Sequence, residues 1–130
     1  MSNTKSEQIQ IFLDSGAHSL YNIHTRDKRT LNRDSKFAWY DTEAFKNYLD
    51  DYGSFLVDNP HITTYVNVDV ITDPVRTWRA QQYLEKEYGL SPIPVIHAFT
   101  PLKWIEHYLN RGHTYIGLGG LGQGVAKQIY

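Results

Sequence analysis

The chain reads as an α/β domain of four consecutive parallel βα units, half of a TIM-type (β/α)8 barrel, with an open doubly wound parallel sheet as the alternative. Three observations predict this. Short apolar runs alternate with longer segments whose apolar residues recur every third or fourth position. The loops after the second and third runs are short, and each offers a capping residue followed by proline, Asp73-Pro74 and Thr100-Pro101. Polar residues also stand at the same end of successive runs: Asp14, Asn67 with Asp69, His97, and the glycines from Gly117 to Gly120. In folds of this class ligands bind at the carboxyl ends of the strands.

Residues 1–9 are a polar leader, expected to fray. The first strand runs from about Gln10 to Leu13, where Ile11, Phe12 and Leu13 suit a strand covered on both faces. It stops at an acid, a hydroxyl and a glycine, which makes Asp14 the first candidate for chemistry; the plainer reading is that Asp14 caps a turn. Residues 17–40 read as a long polar connection, either a functional lid or a disordered segment. Within it Arg26, Lys28, Arg29 and Arg33 are candidate phosphate contacts, with a solvated surface loop as the alternative.

A helix is predicted from about Thr42 to Val57, with Asp41 as its N-cap and a stripe of Phe45, Tyr48, Leu49, Tyr52, Phe55 and Leu56. Asn59-Pro60 stops it. The second strand, Thr64 to Val70, places Tyr65, Asn67 and Asp69 on one side and three valines on the other. Asp73-Pro74 opens a helix that passes Trp78 and Leu84 and ends at Tyr88, before Gly89. The third strand is Ile93 to His97, with Pro94 marking a strand start or an edge. Thr100-Pro101 opens a helix to about Asn110, closed by Gly112, and the fourth strand is Tyr115 to Leu118. No linker divides the chain, so residues 1–130 are read as one domain, with residues 10–124 as its folded part.

Composition narrows the function classes. A net charge of -1 supplies no global basic field for nucleic acid, though a local patch is compatible with it. The absence of cysteine removes disulfides and thiolate metal sites. The six histidines show no zinc-binding spacing, so neither a metal nor a cofactor is expected. No run of about 18 apolar residues is present and the leader has no apolar core, so the expectation is a cytoplasmic protein that does not enter membranes.

Asn67 and Asp69 on an otherwise apolar strand cost energy unless they are paired or used. They belong either to a site shared with His97 or to a structural hydrogen-bond network with it. The stretch from Gly117 to Gly122 matches G-x-G-x-x-G, but no acid follows to hold a ribose. Its glycines fit better with close backbone approach to a planar ligand. A triad of Ser15, His97 and Asp69 lacks the nucleophile elbow and is set aside.

Asp14-Ser15-Gly16-Ala17-His18-Ser19 resembles the Asp-Ser-Gly-Gly-Phe-Gln motif of the tRNA-guanine transglycosylases. Val68-Asp69 looks like that family's base-recognising aspartate, and Ile116-Gly117-Leu118-Gly119-Gly120-Leu121 is similar to its Val-Gly-Gly-Leu stretch. The likeness is greatest to shorter phage and bacterial relatives, some linked to placing 7-deazaguanine bases in DNA, and it spans Ile11 to Gly124. It implies the N-terminal half of the family's barrel, since the nucleophilic aspartate and the zinc ligands of the family lie on later strands. It also implies that Asp14 is a general acid/base, that Asp69 hydrogen-bonds a guanine-like base, and that the backbone at Gly119, Gly120 and Leu121 helps to hold it. Asn67 and His97, at neighbouring strand ends, complete the candidate base-binding set.

The implied function is base exchange on nucleic acid, DNA or tRNA, by a guanine- or 7-deazaguanine-binding domain completed by further strands. The setting would be cytoplasmic, the host cytoplasm for a phage protein. The alternative is a catalytically inactive interaction protein that reuses the fold; a third reading is acid/base chemistry on nucleosides through Asp14, Asp69 and His97. Half a barrel leaves unpaired edges, which predicts a homodimer or a larger assembly. Trp39, Trp78 and Trp104 offer apolar area for either a core or an interface.

Overall fold

The structure is a computed structural model that describes residues 12–13, 15–25 and 36–119. Asp14, Arg26, Lys28, Arg29, Arg33, Gly120, Leu121 and the leader lie outside the described residues. The elements in order are β1 (Phe12–Leu13), α1 (Ala17–Thr25), a 3-10 turn (Ala38–Asp41), α2 (Glu43–Asp58), β2 (Thr64–Tyr65), α3 (Pro74–Tyr88), β3 (Val95–His97), α4 (Leu102–Asn110) and β4 (Gly117–Gly119).

β1 pairs with β2 in parallel, Phe12 opposite Thr64. β3 pairs with β4 in parallel, Val95 opposite Gly117 and His97 opposite Gly119. A single parallel bridge between Val66 and Ile93 joins the two pairs. This overturns the expected fold class. Among the described residues the strands are two or three residues long and form two two-stranded sheets, which is neither four consecutive parallel βα units of a half-barrel nor one open doubly wound sheet.

The physical reason lies in where the backbone hydrogen bonds go. Strand pairing was expected to continue to Val70, but the Val70 N–H donates to the Thr77 hydroxyl of α3 instead, at 2.9 Å. Pro92 and Pro94 flank the bridge and have no N–H to offer a neighbouring strand.

The expected 17–40 connection is also corrected, because it contains α1 and the 3-10 turn. Gly16 adopts φ 77, the Ser15 hydroxyl accepts from the Ala17 N–H at 3.3 Å, and Ala17 and Leu20 are buried three residues apart. α2 starts one residue later than predicted, after Thr42, and Asp41 does not cap it. The Asp41 carboxylate instead receives Arg76, from Nε at 3.0 Å and from Nη2 at 2.5 Å. Of the predicted stripe, Phe45, Leu49, Tyr52 and Leu56 are buried, whereas Phe55 is 46% exposed. α3 follows its sequence signals: the Asp73 side chain accepts from the Arg76 N–H at 3.0 Å, Pro74 occupies the first turn, and Gly89 closes the helix at φ 63.

The core gathers α2, α3 and the segment after β2, with Leu49, Leu56, Val68, Val70, Ala80 and Leu84 at its centre. α4 packs on α3 through rings: Trp78 meets His107 and Tyr108 edge-on, and Arg111 lies 4.5 Å over Trp78. Trp39 stacks on His24 at 3.5 Å, and Trp104 meets His107 at 5.2 Å, so all three tryptophans make contacts within the chain.

α2 and α3 pack tightly at Gly53, where a Cβ would stand 2.6 Å from Cδ2 of Tyr88. Nearby, Tyr83 and Tyr88 both donate to Asp50 Oδ1, at 2.5 and 2.7 Å, and Lys46 reaches Oδ2 at 3.4 Å. The Tyr88 ring is therefore tethered and gives way poorly. Replacing a helix glycine by alanine ordinarily gains about 1 kcal/mol, while overpacking costs about 1–3 kcal/mol. Gly53→Ala is expected to lower stability in denaturant melts, and the same change in a Tyr88→Ala background is expected to raise it.

The tyrosine hydroxyls, Tyr83 first and then Tyr88, hold the Asp50 carboxyl below its ordinary value of 3.8, and hydrogen bonds from Arg76 do the same for Asp41. Because the folded values are depressed, this stabilisation is present above the ordinary carboxylate value and is lost as pH falls through the folded values. Thermal melts across the acid range are expected to show a shallower loss of stability for Asp50→Asn than for the parent chain.

Candidate functional site

The site is set by the turn between β2 and α3. Residues 67–70 are buried, although two of the four are polar. Asn67 donates from Nδ2 to the Thr77 carbonyl at 2.9 Å, and among the described residues its buried Oδ1 has no partner. The Thr77 hydroxyl accepts from the Val70 N–H and shares its proton between the carbonyls of Val70 at 3.0 Å and Asp73 at 2.8 Å. The Asp73 N–H closes the turn on the Val70 carbonyl at 2.9 Å. Within the turn Thr72 adopts φ 66, a costly conformation for a β-branched residue that the surrounding bonds enforce.

With that turn fixed, Asp69 meets the end of β3. Its Oδ2 lies 2.6 Å from Nε2 of His97, and both residues are buried, 8% and 4% exposed. With Asp69 ionised, the ring N–H donates to the carboxylate, which fixes the imidazole orientation and leaves Nδ1 as the basic nitrogen. The loop after β3 then clamps the His97 backbone from both sides. The His97 N–H donates to the Thr100 hydroxyl at 2.9 Å, and the Thr100 N–H donates to the His97 carbonyl at 3.0 Å. Thr100 is thus spent on His97 rather than on capping α4, which is why the predicted Thr100-Pro101 cap carries no side-chain bond. The same loop holds Phe99 at φ 68 with its ring fully exposed.

Gly119 of β4 faces this pair. A Cβ built there would lie 3.7 Å from His97 Cδ2, 3.9 Å from Asp69 Oδ2 and 3.2 Å from Val95 Cγ1. The structure therefore brings Asp69, His97 and Gly119 together, while Asn67 turns its amide to α3. Ser15, the set-aside triad serine, is occupied by the Ala17 N–H.

Two residues that the sequence does not single out also feel Asp69. Burial first, and then the Asp69 charge, push the Tyr40 hydroxyl pKa up. Burial, Glu85 and Asp69 do the same for Tyr108. Both phenols stay protonated, and among the described residues the buried Tyr40 hydroxyl has no partner. Aromatics at helical spacing read as core, and buried donors beside a carboxylate become visible only in the fold.

The arrangement can do two things. An ionised carboxylate offers about four lone-pair sites, and His97 takes one. Oδ1 of Asp69 has no partner among the described residues, so it can accept from a ligand. The Asp–His pair can also move a proton, since the carboxylate stabilises the imidazolium formed when Nδ1 accepts one. Among the described residues no group of three or more His, Asp or Glu is placed to hold a metal ion. No described helix is long and apolar enough to cross a membrane. Comparison of the chain with protein-family models, curated proteins and solved structures gives no match in any of the three.

Because Thr77 holds the turn, Thr77→Val strands the Val70 N–H and is expected to cost about 2 kcal/mol in denaturant melts, the desolvation penalty of an unpaired buried group. Thr77→Ser keeps the hydroxyl and is expected to recover most of that loss.

Proposed function

We propose that the Asp69–His97 pair recognises a guanine-like base. The single observation that carries this is a buried carboxylate with one oxygen fixed by His97 at 2.6 Å and the other without a partner among the described residues. Guanine presents two adjacent donors, N1–H and the 2-amino group, to one carboxylate. Adenine presents a lone pair at N1, which a carboxylate repels. A 7-deazaguanine keeps the same donor edge and is accepted equally by Asp69.

Two further features support the reading. Gly119 lets the β4 backbone approach the pair closely, where a Cβ would crowd Val95 at 3.2 Å. The exposed Phe99 ring, carried in a strained loop adjoining His97, supplies a stacking surface of the kind bases use. The resemblance of Asp14-Ser15-Gly16 and Val68-Asp69 to transglycosylase motifs extends the proposal to base exchange on nucleic acid, with Asp14 as the general acid/base.

Calorimetric titration tests the recognition step. Guanine and a 7-deazaguanine are expected to bind, and adenine to bind about ten- to a hundredfold more weakly, the discrimination of a good bidentate pair. Asp69→Ala is expected to abolish binding, and Phe99→Ala to weaken it while leaving the guanine preference intact. Equal affinity for guanine and adenine, or equal affinity in the Asp69→Ala variant, overturns the proposal.

A further inference from the structure

α4 is held to α3 by aromatic rings, and one of those rings can take up a proton. His107 stands edge-on to Trp78 of α3 at 4.4 Å and to Trp104 of its own helix at 5.2 Å, both between ring centroids. The residue is partly exposed, but its Nε2 is buried and has no hydrogen-bond partner among the described residues. In the neutral ring one nitrogen carries a lone pair and no proton. The imidazolium carries N–H on both nitrogens, so an Nε2–H would be buried beside indole with no acceptor.

The charges around the ring oppose that proton. Arg111 stands four residues after His107 and Lys103 four residues before it, the spacing at which side chains share a helix face and like charges repel. Arg111 also lies 4.5 Å over Trp78, so the indole already carries a cation. The two carboxylates that act on the neighbouring Tyr108 are engaged elsewhere. Glu85 of α3 accepts from Gln81 at 3.1 Å and lies 3.8 Å from His113, and Asp69 is bound to His97 at 2.6 Å. Glu106 is exposed and one position away, and adjacent helix residues do not face each other. The last carbonyls of α4 give no relief either, since those of Tyr108 and Leu109 accept from the N–H groups of Arg111, Gly112 and His113. Burial first, and then the Arg111 charge, hold the His107 imidazole below its ordinary value of 6.5.

We propose that His107 is an acid-sensitive latch, whose protonation releases α4 from α3 and loosens the loop that clamps His97. That loop runs directly into α4, so the helix and the Thr100 clamp are mechanically joined. Because the docked value is depressed, the undocked ring binds the proton more tightly. Docking is therefore fully present above the ordinary value of 6.5 and weakens as pH falls below it, until the docked ring itself titrates. The latch is a property of the fold and stands apart from what the Asp69–His97 pair binds.

Histidine-ring NMR and native-state amide exchange on the full chain, from about pH 7.5 to about pH 5, test it. The His107 ring is expected to titrate below 6.5, and Arg111→Gln to move its midpoint up toward that value. Protection factors of α4 amides are expected to fall several-fold across the range while those of α2 hold. In His107→Phe, which keeps a ring against Trp78 and has no proton to gain, the fall in α4 is expected to vanish. Where that variant does not fold, the ring titration in the parent and in Arg111→Gln decides. The inference is overturned if His107 titrates at or above 6.5, if Arg111→Gln leaves its midpoint unmoved, if α4 protection is independent of pH, if α2 loses protection in step with α4, or if His107→Phe retains the fall.

Discussion

The rest of the structure depends on one hydroxyl. Thr77, in the second turn of α3, receives the Val70 N–H and returns its proton to the Val70 and Asp73 carbonyls. It is 1% exposed, so these groups have no water to fall back on, and an unpaired buried peptide group costs more than a bond ordinarily contributes. The bond set ends strand pairing early, forces Thr72 into the left-handed region, and ties the start of α3 to the chain that carries Asp69. Asn67, donating to the Thr77 carbonyl, tightens the same joint from the other side.

From that joint order passes to α2. Asp73 caps α3 and also grips Arg76, and Arg76 reaches across to Asp41 at the start of α2. Exposed ion pairs contribute little on their own, but this one is a two-pronged guanidinium–carboxylate bond with a second carboxylate behind it. It registers the first turns of the two helices, while Gly53 and the Asp50–tyrosine cluster register their later turns. The helix pair is thus fastened at both ends.

The loops that follow β2 and β3 share a feature. Each carries a non-glycine residue at positive φ, Thr72 after Asp69 and Phe99 after His97, and each is clamped by a threonine hydroxyl, Thr77 or Thr100. Such conformations cost about 1–3 kcal/mol and persist where the surroundings over-determine them. Here the outcome is a buried acid and a buried imidazole held 2.6 Å apart by backbone that has little freedom to relax. That is the preorganisation a recognition or proton-transfer site requires.

By itself, the sequence determined the features that neighbouring residues decide. The helix α3 was legible from Asp73-Pro74 to Gly89, because a cap, a fixed φ and a left-handed glycine act within a few residues of the helix ends. The burial of Phe45, Leu49, Tyr52 and Leu56 was legible from their spacing. Asp69 and His97 stood out as polar residues at the ends of apolar runs, but whether they touch was not legible, since 28 positions separate them. The same limit hid the fate of Asp41, which leaves α2 for Arg76, and of Thr100, which leaves α4 for His97. It also hid the strand lengths. An apolar run has the same composition whether its peptide groups bond to another strand or to a threonine on the following helix, and only the tertiary structure, by bringing Thr77 within 2.9 Å of Val70, made that choice.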